Sequence, residues 1–353
     1  MLNIKVSRIL KKKYTVFTSN CSTAIYLLLK SLKFKNKKII IPSNICYEVF
    51  LSIIYSHNQP LVIDANKNLG ISIYDLKNEL KKHKNIGGII FPYLYGNSDN
   101  FKDVLKIIKK KKLLLIEDIA GAFGGKIGKN KFGSFSDYCV GSFGQGKIID
   151  MGYGGFLSTN NIEVYKKFLV LNKNLETRSS KSISLRKKLN KLIDLILNKK
   201  INNKILKIGN LKKYYFGIVN KRNLSTNFYK KLSYNINEIE KINNLRKKKA
   251  KEFDKLIKFK NFSSITHNPG SVYWRKNFLV KQNSFDLINY LNKNNIYARK
   301  YYPPLNYIFP SINKKLKNSE KNYKRIINFW VGKETSFKDI LKIKKMIESY
   351  YNV

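Results

Sequence analysis

Leu113-Leu-Leu-Ile-Glu-Asp118 is an apolar run that ends abruptly in two carboxylates. A run of this kind predicts a buried parallel strand. Ligands of open α/β sheets bind beyond the carboxyl ends of the strands, so Asp118 is expected to face a ligand. Further along, Gly141-Ser-Phe-Gly-Gln-Gly-Lys147 places a lysine after a glycine-rich loop. Together the two stretches predict a site that combines a carboxylate with an amine.

The sequence around these stretches, from about residue 14 to 160, alternates short apolar runs with longer amphipathic ones. This alternation predicts the large domain of an α/β enzyme, a mainly parallel sheet covered by helices. The predicted strands are 38–41, 60–63, 88–91, 113–116, 138–142 and 155–158. The predicted helices are 22–32, 48–56, 73–82 and 99–110, each with apolar residues at helical spacing.

The sequence after residue 160 predicts two further parts of the structure. A basic helical segment covers about 162–240 and contains a polar run, 179–184, that predicts a loop. We assign residues 1–240 to the large domain and 241–353 to a smaller C-terminal α+β domain. In this smaller domain a strand is expected at 277–280, and helices are expected at 284–292 and 337–350.

The most conspicuous feature of the composition is its charge. The 353 residues contain 70 Lys and Arg against 22 Asp and Glu, a formal net charge of +48. Such an excess raises the possibility of a nucleic-acid or membrane partner. However, the lysines are spread along the whole chain and accompany abundant Asn and Ile, as in a product of an adenine- and thymine-rich coding sequence. No nucleic-acid-binding module is recognisable, so a nucleic-acid-binding protein is the remote alternative.

The cysteines, the histidines and the apolar runs indicate the cellular compartment, whether a metal site is present, and the relation of the protein to a membrane. The three cysteines (Cys21, Cys46 and Cys139) have neither zinc-site spacing nor an even count, which favours a reducing cytoplasm. The three histidines are not near other metal-type ligands, so no metal is expected. No apolar run reaches the roughly 18 residues that span a bilayer. A basic amphipathic stretch, 185–208, could lie on a membrane surface, but we favour a helix packed on its own domain or on a dimer partner.

Lys147 and Asp118 match the two side chains that pyridoxal 5'-phosphate (PLP) requires. A lysine holds the cofactor aldehyde as a Schiff base, and an aspartate keeps the pyridine nitrogen protonated. Each residue alone is a weak signal, because most such lysines are solvated and many strand-end aspartates cap helices. Their combination predicts a PLP enzyme with both residues catalytic.

The phosphate of PLP is expected at the start of the first long helix. Helix N-termini bind anions because their N–H groups are unpaired and the helix dipole is positive there. Asn20-Cys-Ser-Thr23 opens this helix, so Cys21, Ser22 and Thr23 are predicted to bind the phosphate. Ser142 is predicted to add another hydroxyl.

Several motifs occur in the order found in one known family. They are Ser19-Asn-Cys-Ser-Thr-Ala-Ile, Pro92-Tyr-Leu-Tyr-Gly96, Glu117-Asp-Ile-Ala-Gly-Ala-Phe-Gly124, Ser142-Phe-Gly-Gln-Gly-Lys147 with Gly154-Gly155, and Ile296-Tyr-Ala-Arg-Lys-Tyr-Tyr-Pro-Pro-Leu305. Over nearly the whole chain they resemble the DegT/StrS-type sugar aminotransferases, within fold type I of the PLP-dependent transferases.

This resemblance implies a reaction and an assembly. An amino group, from glutamate, passes to a nucleotide-linked keto sugar for a surface polysaccharide such as O-antigen. Relatives that use PLP for deoxygenation have histidine in place of Lys147, so this lysine favours amino transfer. A sugar dehydratase or a regulatory relative of the same fold is the alternative. The family forms homodimers in which an asparagine of the second subunit completes the phosphate pocket, and Asn220 is the candidate match.

Three positions depart from the family pattern near the expected cofactor. Gly121 replaces a usual Gln, Phe123 replaces a frequent His, and Cys46 stands where an aromatic ring often stacks on PLP. Tyr47, Tyr93 or Phe123 could supply that ring instead. By position, Cys46, Tyr47 and Gly121 are predicted to contact the cofactor.

The substrate-binding residues are predicted in the same way. Tyr93, Arg299, Lys300 and Tyr301 are the candidates for contact with the substrate. Arg275 joins Arg299 and Lys300 as a candidate partner of the sugar phosphates.

Overall fold

The six predicted strands of the large domain, together with one strand that was not predicted, form a seven-stranded sheet in the computed structural model, which describes residues 2–352. The strands of this half are β1 (Tyr14–Thr18), β2 (Lys38–Pro42), β3 (Gln59–Ile63), β4 (Ile86–Pro92), β5 (Leu114–Asp118), β6 (Lys126–Ile127), β7 (Asn130–Lys131), β8 (Tyr138–Ser142) and β9 (Gly155–Thr159). The order is β1-β9-β8-β5-β4-β2-β3, with β6 and β7 in a separate hairpin. Within this sheet β9 alone runs antiparallel to its neighbours, so the predicted mainly parallel sheet is confirmed.

Helices cover the sheet on both sides because its strands are apolar on both faces. They are α1 (Leu2–Ile9), α2 (Cys21–Ser31), α3 (Tyr47–Tyr55), α4 (Ile73–Lys82), α5 (Phe101–Lys110), α6 (Ile162–Lys173), α7 (Ser180–Leu197), α8 (Ile208–Leu211), α9 (Tyr215–Ile218), α10 (Thr226–Asn237) and α11 (Ile239–Leu256). In β2, Ile40 joins one core while Ile39 and Ile41 join the other. Successive side chains of a strand point to opposite faces, so a continuous apolar run fills both cores.

The polar run 179–184 begins helix α7, so the prediction of a loop there is wrong. The Ser179 side chain accepts a hydrogen bond from the Ser182 N–H at 3.2 Å. In return the Ser182 hydroxyl accepts one from the Ser179 N–H at 3.0 Å. This reciprocal pair is a capping box, which satisfies two N–H groups and favours the helix start.

Helix α7 also decides the role of the basic amphipathic stretch. Its residues Leu189, Ile193 and Ile196 are buried in the core of the same chain. The apolar face of α7 is therefore covered by the protein itself, as we favoured over a membrane contact, whereas Ile205 and Ile208 in the rest of the stretch are exposed. Within residues 2–352, no helix combines the length and the hydropathy needed to cross a membrane.

The C-terminal part forms a second, smaller α+β unit. Its elements are β10 (Phe262–Ser264), β11 (Arg275–Val280), α12 (Ser284–Lys293), β12 (Ala298–Arg299), α13 (Leu305–Ile308), α14 (Lys317–Arg325), β13 (Ile326–Trp330) and α15 (Phe337–Tyr351). The sheet has the order β10-β11-β13-β12 and is antiparallel. Phe253 and Ile257 of the α11 region join its separate core. The domain boundary at residue 240 stays a prediction, and a core beginning in α11 supports it.

The strand directions bring distant loops together. Because β1, β2, β5 and β8 point the same way, the residues at their carboxyl ends meet at one edge of the large sheet. These ends lead into Asn20, Cys46, Asp118 and Ser142. In open α/β sheets this edge is where ligands bind.

Candidate active site

A cavity of about 600 Å³ lies at this edge, and we call it the lysine cavity. Nine of the predicted site residues line it: Cys21, Ser22, Cys46, Tyr47, Asp118, Ser142, Lys147, Asn220 and Tyr301. They come from six separate parts of the chain, brought together by the sheet.

Glu117 and Asp118 have different roles because adjacent strand residues point to opposite faces. The fully buried Glu117 accepts hydrogen bonds from the Tyr93 hydroxyl and from the N–H groups of Gly133, Phe135 and Ser136, at 2.7–2.8 Å. It anchors a loop. Asp118 faces the lysine cavity, and its Oδ1 accepts the Ala120 N–H at 2.8 Å.

The electrostatic state of Asp118 reflects opposing effects. Burial raises the pKa of its carboxyl above the ordinary value, while the Ala120 N–H and the positive charge of Lys147 lower it. A buried carboxylate is stabilised by a nearby cation or a charged hydrogen-bond donor. Asp118 is therefore suited to pair with a protonated ring nitrogen of a ligand.

Lys147 lies in a tight loop after β8. Gly146 has a φ of 72°, which a glycine adopts without strain, and its N–H donates to Asp150 at 2.7 Å. The Trp274 indole N–H donates to the Gly146 carbonyl at 2.5 Å, and Lys147 Nζ lies 5.4 Å from the centre of the indole. The loop is thus held on both sides, and the half-buried amine stays at the cavity.

Helix α2 presents its N-terminus to the lysine cavity. The Asn20 side chain caps the helix by accepting the Thr23 N–H at 2.7 Å. Cys21 and Ser22 belong to the first turn, where backbone N–H groups have no partner within the helix. The cavity wall therefore offers donors for an anion such as a phosphate.

The predicted asparagine lies at this same helix start. The buried Asn220 accepts the Ser19 hydroxyl at its carbonyl (2.6 Å), and its N–H points to the Thr23 hydroxyl at 3.4 Å. Its Oδ1 is buried without a hydrogen-bond partner. The resemblance implied that a second subunit supplies this asparagine, whereas here Asn220 reaches the α2 of its own chain.

An ion pair between α3 and α7 forms another wall of the lysine cavity. Arg186 contacts Glu48, which holds the pKa of the guanidinium above its ordinary value. Glu48 also accepts the Ser22 hydroxyl at 2.6 Å, so the pair is connected to the α2 N-terminus. Arg178 and Lys187 line the same cavity and add positive charge.

The two cysteines at the lysine cavity are neutral at physiological pH. Burial raises the pKa of the Cys46 thiol to about 11 and raises that of Cys21 well above its usual range. The thiolate is the reactive form of cysteine. These side chains therefore act as small apolar walls.

Five predicted residues do not line the lysine cavity. Tyr93 is buried in the core, stacked on Phe132 with ring centres 4.0 Å apart, so its prediction as a substrate contact is wrong. Thr23 is buried behind the helix start, and Gly121 packs beside Trp274. Arg299 stacks on Tyr297, and Lys300 lies over the Tyr323 ring. Two other rings were proposed to stack on the cofactor. Phe123 is buried in the core like Tyr93, whereas Tyr47 lines the lysine cavity.

Sequence reasoning missed Glu48, Arg186 and Trp274. The partners Glu48 and Arg186 are 138 positions apart, and no pattern in the sequence links them. Trp274 precedes β11, where an aromatic residue is ordinarily a core residue. Only the fold shows that it supports the Lys147 loop.

Comparisons with known proteins show the family of this chain. A sequence model of the DegT/DnrJ/EryC1/StrS aminotransferase family matches residues 2–348. GDP-perosamine synthase of Escherichia coli O157:H7 is 28% identical over 159 residues, which cover 44% of this chain and 43% of that protein. The match thus spans less than half the length of that relative. UDP-4-amino-4,6-dideoxy-N-acetyl-beta-L-altrosamine transaminase of Campylobacter jejuni (serotype O:23/36) is 23% identical, over 96% of this chain and 85% of that protein.

The fold has solved counterparts. The structure of E. coli GDP-4-keto-6-deoxy-D-mannose-3-dehydratase with bound hydrated PLP superposes with a TM-score of 0.76 at 19% identity. The superposition covers 98% of this chain and 90% of that one, and it confirms the predicted fold class. The family resemblance drawn from the sequence is confirmed by the match over nearly the whole chain. This protein belongs to the DegT/DnrJ/EryC1/StrS aminotransferase family.

Proposed function

We propose that this protein is a PLP-dependent aminotransferase that transfers an amino group, supplied by glutamate, to a nucleotide-linked keto sugar. The observation that carries the proposal is the meeting of Lys147, Asp118 and the α2 N-terminus at one cavity. An amine, a buried carboxylate and an anion site are the three groups that PLP requires.

The residues present fit this cofactor. Asp118 has one oxygen engaged by Ala120, and it faces the cavity to hold a pyridinium nitrogen. The N–H groups of Cys21 and Ser22, with the Ser142 hydroxyl, would hold the phosphate. When bound, PLP supplies a ring that absorbs negative charge from the substrate carbon bearing the amino group.

Lys147 has two roles in the proposed reaction. Its amine holds the cofactor covalently, and once displaced by the amino donor it accepts and returns the proton that moves on the substrate. The loop contacts to Asp150 and Trp274 keep the amine at the cavity for both roles. Positioning of this kind lowers the entropic part of the barrier.

The sugar substrate is supported by the names of the relatives and by charge. The two relatives described above carry the names of a GDP-sugar enzyme and of a UDP-sugar transaminase. Arg178 and Lys187 at the cavity would favour an anionic nucleotide. We place the product in surface polysaccharide synthesis and the protein in the cytoplasm, as a homodimer.

Spectroscopy of the purified, PLP-loaded protein tests the proposal. Added glutamate should bleach the visible absorbance of the lysine-bound cofactor, and a panel of UDP-, dTDP- and GDP-linked keto sugars should restore it. Mass spectrometry should then find an aminated sugar from one member of the panel. Absence of bleaching with any amino donor would overturn the proposal. Loss of a sugar hydroxyl without amination would identify a dehydratase instead.

A further inference from the structure

A second cavity, of about 700 Å³, lies on the other side of the Lys147 loop. We call it the arginine cavity. One wall is formed by Gln145, Gly146 and Asp150 of the loop, and the other by residues of the smaller unit, including Arg275. Gln145 and Tyr301 line both cavities, so the two spaces adjoin beside Lys147.

Arg275 is the unusual residue of this cavity. It is the first residue of β11 and is only 5% exposed, yet its Nε and Nη1 have no hydrogen-bond partner. Among residues 2–352 no carboxylate lies within 4.0 Å of its guanidinium. A buried cation without a counter-ion or acceptor is costly to the folded state.

Aromatic rings compensate Arg275 only in part. Its Cζ lies 4.9 Å from the ring centres of Trp274 and Trp330 and 5.2 Å from that of Tyr301. Ring faces attract the charge of a guanidinium but do not accept its in-plane N–H groups in the way that oxygen atoms do. The two buried N–H groups are therefore left without an oxygen acceptor.

The carboxylates that line the arginine cavity are already engaged. Asp150 accepts the N–H groups of Gly146 and Gly152 at 2.7 and 2.8 Å. Glu334 accepts the Trp330 indole N–H at 2.7 Å, and Asp339 caps helix α15. Arg275 has a hydrogen bond with the Tyr297 side chain, but its Nε and Nη1 have no polar partner. The ligand that such a guanidinium favours is an anion.

We propose that Arg275 binds an anionic group, a carboxylate or a phosphate, of a substrate whose reacting end lies at Lys147. Both cations lie close to one indole, with Lys147 Nζ 5.4 Å and Arg275 Cζ 4.9 Å from the ring centre of Trp274. This inference rests on the proposed function, because the diphosphate of a nucleotide sugar and the second carboxylate of glutamate are the two sources of such a group. An arginine fork recognises either group through paired hydrogen bonds.

The test uses PLP-loaded wild type and three variants. Arg275→Met removes the charge, Arg275→Lys keeps the charge without the fork, and Lys338→Met is the control for lost charge at an exposed position outside the cavity. Calorimetry measures the dissociation constants of GDP, UDP, dTDP and glutarate, a dicarboxylate without an amino group. Thermal unfolding of each protein is measured in parallel.

We expect Arg275→Met to weaken binding of one probe class by at least about 10-fold, the cost of losing hydrogen bonds to a charged group. Weakened nucleotide binding identifies the diphosphate as the source, and weakened glutarate binding identifies the carboxylate. Arg275→Lys should also lose affinity, and it decides the question if the methionine variant fails to fold. The melting temperature of Arg275→Met should equal or exceed that of the wild type, because an unpaired buried cation is removed.

Two results would overturn the inference. One is wild-type affinity for every probe in both Arg275 variants, whatever their melting temperatures, because Arg275 would then bind neither kind of anion. The other is wild-type protein that binds none of the probes. Because these measurements do not depend on turnover, wild type that binds a probe but transfers no amino group would contradict the proposed function alone.

Discussion

Gly155 of β9 lies so close to Asn20 that an added Cβ would come within 2.3 Å of the Asn20 carbonyl carbon. The same Cβ would lie 2.4 Å from the Cys21 nitrogen. The neighbouring Gly154, with a φ of 103°, donates its N–H to the Ser19 carbonyl at 2.9 Å. The glycine pair thus sets how closely β9 approaches the start of α2, and it positions the N–H groups that we assign to the phosphate.

Gly155→Ala should therefore disturb the phosphate end of the site. The backbone must move to relieve the contact, and overpacking of this kind costs about 1–3 kcal/mol. Urea unfolding should show this loss, and titration with PLP should show weaker binding. Gly209→Ala is the matched control, because nothing lies within 4 Å of a Cβ added there. Equal stability and PLP affinity in the two variants would contradict the assigned role of the contact.

Asp118→Asn should separate stability from activity. The raised pKa of this carboxyl means that the folded protein binds the proton more readily than the unfolded chain does. The contribution of Asp118 to the free energy of unfolding therefore falls as the pH rises above 3.8. At neutral pH the ionised carboxylate destabilises the folded protein. Without PLP, the variant should melt at the same or a higher temperature than the wild type at pH 7, with a smaller advantage toward pH 4.

The same variant should lose at least about 100-fold in amino transfer, because a charge that stabilises the reacting ring is gone. Asp137→Asn, at an exposed position just before β8, controls for the loss of a carboxylate. Steady-state kinetics checks the comparison. Normal turnover by Asp118→Asn would exclude the role that we give to Asp118.

The ion pair of Arg186 and Glu48 should be energetically coupled. Arg186→Met leaves Glu48, whose side chain is 9% exposed, without its cation, so we expect a loss of about 1–3 kcal/mol. Glu48→Gln should cost less, because the amide still accepts the Ser22 hydroxyl. The double variant should lose less than the sum of the two. The pair of Lys344 and Glu348, which is only half-buried, is the control and should show much weaker coupling. Additive losses for Arg186 and Glu48 would show that the pair contributes nothing.

His267 predicts a loss of stability in acid. Burial, then the charge of Lys276, lowers the pKa of the imidazole to about 3, so the ring is neutral in the folded protein. The unfolded chain takes up a proton below about pH 6.5, so stability present above that pH is lost as the pH falls toward 3. Relative to His267→Gln, the wild type should lose about 1 kcal/mol between pH 7 and pH 5.5. Urea unfolding of both proteins measures this difference. If the difference in free energy of unfolding between them were the same at pH 7 and at pH 5.5, the neutral state of the imidazole would be contradicted.

Local patterns in the sequence predicted most of the parallel sheet and the residues at its carboxyl edge. Apolar runs such as 138–142 are continuous because they fill two cores, and this made strands recognisable from composition alone. Strand β1, the short strands β6 and β7, and the small-domain strands β10, β12 and β13 were not predicted. Their neighbours along the chain are short turns and helix ends, which give a weaker signal of strand boundaries.

Contacts between distant residues could not be read in this way. Tyr93 follows β4 in a family-like motif, yet its ring turns into the core and its hydroxyl donates to Glu117. Whether a side chain after a strand faces the cavity or the core depends on the turn that follows. For the same reason, the lack of a partner for Nε and Nη1 of Arg275 became visible only once the partners of Asp150 and Glu334 were known.

The covalent role of Lys147 can be tested most directly by borohydride reduction of the PLP-loaded protein, followed by peptide mass spectrometry. Reduction fixes PLP to the lysine that carries it, so we expect the label on the peptide containing Lys147. Lys147→Ala should give no labelled peptide and no visible cofactor band, whereas Lys126→Ala, at an exposed position outside the cavity, should behave as the wild type. A label on another lysine, or a Lys147→Ala variant with normal absorbance and activity, would contradict the account.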